Sequence, residues 1–123
     1  MRLSNCVVKL VFVIGVAGIG IVSASYAVPL SQYNVGTDDQ RSHYVASTLQ
    51  KLYDSYNSNS DGKYLAECMA ELYNRLTPSG NSNELMVLIA NEIELATLKG
   101  DKDYEVQEII AGVIKHASDN GCL

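Results

Sequence analysis

The chain has 123 residues with 9 Lys and Arg against 14 Asp and Glu, a net charge of −5, 47% apolar residues and a mean hydropathy of +0.02. That length and balance fit one globular domain. They disfavour nucleic acid and an anionic membrane surface as partners, since both are bound through clustered Lys and Arg.

The first residues, MRLSNCVVKLVFVIGVAGIGIVSASYA, carry Arg2 and Lys9, then an uncharged apolar run from Leu10 to Val22, then small residues at Ser25 and Ala27. This three-part plan is that of a secretory signal peptide over residues 1–27, cut after Ala27. The alternative, a retained anchor, is disfavoured because the run contains three glycines and falls short of the roughly 20 apolar residues of a membrane-spanning helix. Export would place residues 28–123 in the periplasm or outside the cell. Removing Arg2 and Lys9 from the nine basic residues leaves seven against 14 acids, so the exported chain carries −7. Cys6 leaves with the leader, and Cys68 and Cys122 remain as a pair in an oxidising compartment. Neither has CxxC spacing, so a structural disulfide is expected.

Residues 28–36, VPLSQYNVG, are uncharged, contain Pro29 and Gly36 and show no period, which reads as a flexible lead segment before a domain spanning residues 37–123. Thr37 with Gln40 three residues later forms a capping box, and Asp38 and Asp39 suit the positive end of a helix dipole. Val45, Leu49, Leu52, Tyr53 and Tyr56 continue that helix as one apolar stripe until NSNSDG stops it. Leu65, Cys68, Met69, Leu72 and Leu76 predict a second helix, with Glu71 and Arg75 paired at i,i+4 on its wet side. Asn81 with Glu84 repeats the capping logic for ELMVLIANEIELATL, which is apolar around most of its circumference and is expected in the middle of a bundle, with Gly100 as C-cap. Asp101 and Asp103 stand at the start of a last helix with the stripe Val106, Ile109, Ile110, Val113, Ile114 and Ala117, and Asn120-Gly121 stops it. Gly112 inside this helix predicts a close helix approach. The fold class expected is all-α, a small antiparallel bundle of about four helices stapled by one disulfide.

Few residues offer chemistry. Asn57, Asn59, Asp61 and Gly62 occupy positions 1, 3, 5 and 6 of a calcium loop, with Tyr64 at 8, but position 12 is Cys68 and Glu67 lies one residue short. An Asn/Ser/Asp-Gly turn explains the same residues, so a weak calcium site is the lesser reading and no cofactor is expected. His43 lies four residues after Asp39, and His116 near a helix C-terminus suits the dipole there. The carboxylate pairs Glu67 with Glu71 and Glu105 with Glu108 read as solvated helix faces, and no nucleophile elbow is present, so an enzyme is not expected.

Seven tyrosines follow residue 27 with no Trp, and Tyr53, Tyr56 and Tyr64 flank the polar hinge, where their amphipathic rings suit a partner interface. The expectation is an exported, acidic protein that binds another protein as an inhibitor or immunity-type module, with no chemistry of its own. Two alternatives stand beside it. One is a periplasmic acid-stress chaperone, whose small helical plan with one disulfide is similar in layout; the other is a secreted effector.

Overall fold

The computed structural model describes residues 27–100 and 104–123. All of the expected leader except Ala27, and the acidic pair Asp101 and Asp103, lie outside the described residues. Among the described residues the chain forms five α-helices and no β-strand: α1 (Leu30–Asn34), α2 (Asp38–Asn57), α3 (Lys63–Asn74), α4 (Glu84–Lys99) and α5 (Val106–Asp119). A single 3₁₀ turn, Ser60–Gly62, joins α2 to α3.

Local chemistry accounts for the helix ends. The Thr37 hydroxyl accepts from the Gln40 N–H while the Gln40 side chain accepts from the Thr37 N–H, completing the capping box of α2. Such a cap is worth about 1 kcal/mol. Gly100 ends α4 in the left-handed region at φ 78°. At the end of α5, Cys122 N–H donates to the Ala117 carbonyl and Gly121 N–H to that of Ser118, with Gly121 at φ 71°, which is a Schellman motif. The disulfide joins Cys68 of α3 to Cys122 just beyond α5, with the Cα atoms 5.5 Å apart.

Helices α3 and α5 form the centre, each packing against the other three long helices. Leu49 of α2, Met69 and Leu72 of α3, Leu85 and Ile89 of α4, and Val106, Ile110 and Ile114 of α5 close the core with almost no exposure. Removing such a side chain from a packed interior costs about 2–5 kcal/mol.

Four expectations need correction. The lead at residues 28–36 is not loose: it contains α1, buries Val28 and Leu30, and is pinned to the start of α5 by hydrogen bonds from Leu30 N–H to the Tyr104 carbonyl and from Val106 N–H to the Val28 carbonyl. Apolar anchors and backbone pairing overcome the turn-forming composition; the Tyr33 ring meets the Tyr44 ring edge-on, with centroids 6.1 Å apart. The second helix stops at Asn74, and Leu76 stands 67% exposed in an isolated bridge with Asn83. The cap of α4 is Asn83, whose Oδ1 accepts from the Met86 N–H at 3.0 Å, and not Asn81. Finally, α4 lies on the outside. Only its stripe Leu85, Ile89 and Ile93 is buried, because a domain of this size has too few elements to surround a helix that is apolar on every side.

Arg75 fastens the end of α3 to its surroundings. Its guanidinium pairs with Glu71 as the spacing predicted, and also donates to Glu84 Oε2 at 3.1 Å and to the Leu123 carbonyl at 2.8 Å. One side chain thus ties together α3, the start of α4 and the segment after α5.

Candidate functional site

Two surfaces stand out, at different places on the bundle. The first is the hinge between α2 and α3. The α2 carbonyl of Tyr56 accepts from Asn59 N–H, Asn59 Oδ1 accepts from Asp61 N–H at 3.0 Å, and the Asn59 carbonyl accepts from Gly62 N–H at 3.0 Å. Ser58 Oγ closes back on the Ser55 carbonyl at 2.8 Å. Gly62 is buried beneath this turn, and a Cβ there would sit 3.0 Å from the Tyr56 carbonyl oxygen. Only glycine fits without displacement, so its presence in the stretch is explained by packing.

Of the residues considered for calcium, Asn59 directs its side-chain oxygen into the turn, Asn57 is the last residue of α2, Asp61 is exposed, and Glu67 is exposed farther along α3. Turn chemistry therefore accounts for Asn59 and Gly62 without a metal. Among the described residues no three His, Cys, Asp or Glu side chains gather into one cluster.

Around this turn Tyr53 and Tyr56 are half-buried against the core, while Tyr64 stands 48% exposed at the start of α3. Burial pushes the Tyr56 phenol above its ordinary value, and Tyr64 adds to the shift. The Tyr53 and Tyr56 rings are held from beneath by the core, and the hydrogen-bonded turn leads from them to Tyr64.

The second surface is a groove of about 450 Å³ between α4 and α5. Leu88, Leu95, Ala96, Ile109 and Val113 give it an apolar floor, and Glu92, Lys99, Glu108 and His116 supply charge and polarity at its edges. Gly112 lines it too. The expected close helix approach at Gly112 is absent: the residue is exposed, and a Cβ added there would meet nothing within 4 Å. Beside the groove Leu95 is 48% and Leu98 76% exposed. The signal for this surface was present in the sequence as more apolar residues on α4 than one core stripe requires.

The other candidate residues divide. His43 Nδ1 contacts the Asp39 backbone carbonyl at 2.6 Å, not the carboxylate, while His116 borders the groove. Glu67 and Glu71 are exposed on α3. Glu105 occupies the N-cap position of α5 without a side-chain capping bond, and its carboxyl is raised above the ordinary range, chiefly through a side-chain hydrogen bond with Glu108.

Comparison with protein-family models, with curated proteins and with solved structures finds no match.

Proposed function

We infer that this is an exported helical protein, delivered by a cleaved leader, whose four long helices run up and down and which acts by binding another protein without catalysing a reaction. An inhibitor or immunity-type module fits this reading. The observation that carries it is the hinge: Tyr64 is exposed beside two tyrosines whose rings are anchored in the core, around a turn fixed by its own hydrogen bonds. Preorganised aromatic side chains lose little entropy when a partner covers them, which is why such residues dominate the energetics of interfaces. The acidic net charge favours a partner face carrying Lys or Arg around an apolar centre.

The test is affinity capture with the oxidised protein against extract from its source, comparing the wild type with Tyr64→Ala. Tyr64 is the clean probe, because truncating Tyr53 or Tyr56 would also open the core. One stoichiometric partner, lost or weakened more than about tenfold by Tyr64→Ala at unchanged thermal stability, is the expected result. A partner held equally well by the variant would remove the hinge from the binding surface.

A further inference from the structure

We propose that the outer face of α4 is a self-association surface, on which a second copy of this chain packs its own α4 antiparallel across a two-fold axis near Leu95 and Ala96.

The buried stripe of α4 is Leu85, Ile89 and Ile93. A second stripe, Leu88, Asn91, Leu95 and Leu98, follows the three-and-four spacing of a helix–helix seam and lies roughly 100° to 180° around the helix from the first. Its outward members, Leu95 and Leu98, are large apolar side chains in water. A core does not need them, and they adjoin an apolar groove whose α5 wall has no side chain at Gly112.

Charge selects the occupant and its direction. Glu92 and Lys99 both line the groove and stand seven residues apart on α4, about 10 Å along the axis. A parallel copy would set Glu92 against Glu92 and Lys99 against Lys99. An antiparallel copy sets each Glu92 against the other copy's Lys99 and brings the two Leu95 side chains close to the two-fold axis. The positions of Glu92 and Lys99 are symmetric about the midpoint of Leu95 and Ala96, as an isologous two-fold interface requires, since there residue i meets j and j meets i. Gly112 keeps the neighbouring wall open for incoming side chains.

The experiment is sedimentation equilibrium of the purified, disulfide-bonded protein from micromolar to submillimolar concentration, with three variants beside the wild type. Wild type should form a dimer. Leu98→Asp should weaken it more than about tenfold while the helical circular dichroism is unchanged. Lys99→Glu should weaken it by like-charge contact, and the exchange Glu92→Lys with Lys99→Glu in one chain should restore it. A wild type that stays monomeric over that range overturns the proposal, as does a dimer indifferent to Leu98→Asp. A dimer that Lys99→Glu weakens and the double exchange fails to rescue overturns the antiparallel arrangement. Tyr64→Ala should leave the dimer intact, so failure of this inference and failure of the hinge reading are separable.

Discussion

The hinge and the groove each contain a glycine and exposed apolar side chains, yet they are built in opposite ways. At the hinge, polar side chains and backbone groups bond to one another, Gly62 is compressed beneath the Tyr56 carbonyl, and the aromatic rings rest on the core. At the groove the space beside Gly112 is open, and leucines extend past the edge of the domain. The first region presents a surface already fixed in shape. The second presents apolar surface that the described chain leaves uncovered, so glycine and apolar side chains close one region of the fold and leave the other open.

The largest effect expected concerns the staple that secures one end of the groove. Closing a loop of 54 residues restricts the unfolded chain by about 4 kcal/mol in the chain-entropy model. Cys68→Ser with Cys122→Ser should therefore lower thermal stability strongly, and hydrogen exchange should quicken after α5 before it does at the hinge. Equal protection loss at both regions would show that they do not differ in how they are held.

The two glycines give the sharpest contrast. Gly62→Ala forces a Cβ against the Tyr56 carbonyl and should cost about 1–3 kcal/mol. Gly112→Ala meets open space in a helix and should stabilise the single chain by about 0.5–1 kcal/mol, read by denaturant unfolding at a concentration too low for association. The same substitution should weaken self-association, a trade of function against stability. Two substitutions with effects of the same sign would break the comparison.

A smaller change is expected from Asn59→Ala, which removes the acceptor for Asp61 N–H and should cost about 0.5–1 kcal/mol by chemical denaturation. The smallest involves Glu105. Its carboxyl is raised by the hydrogen bond with Glu108, so the folded state binds that proton more tightly than the unfolded chain does. Native stability is thus penalised where Glu105 is ionised, and the penalty is relieved as pH falls through its raised value. Glu105→Gln should raise the melting temperature slightly near neutral pH and lose that advantage below the ordinary carboxyl value of 4.5. An advantage that persists in acid would mean that the hydrogen bond with Glu108 is not what raises the Glu105 carboxyl.

Much of the fold was readable from local patterns. The capping box at Thr37, the stripes of α2 and α5, that of α3 as far as Leu72, the Glu71–Arg75 pair and the Gly100 cap depend on residues close in sequence, and the disulfide is the one pairing left when Cys6 is assigned to the expected leader. What escaped depended on distant partners. The lead at residues 28–36 is ordered by Tyr44 and by the chain before α5, which composition does not reveal. The place of α4 was misread because apolarity all round a helix does not say which neighbours surround it, and only the packing of α3 and α5 at the centre shows that α4 lies outside. The hinge tyrosines were legible as a cluster; that Tyr64 alone among them stands well exposed required the three-dimensional arrangement.

The most direct measurement of the central claim, that hinge and groove are separate surfaces, is a crossed comparison of Tyr64→Ala and Leu98→Asp in both partner capture and sedimentation equilibrium. The account predicts that Tyr64→Ala loses the partner and keeps the dimer, while Leu98→Asp loses the dimer and keeps the partner. Loss of partner and dimer together in either variant, with the fold intact by circular dichroism, would contradict it and make the two regions parts of one surface.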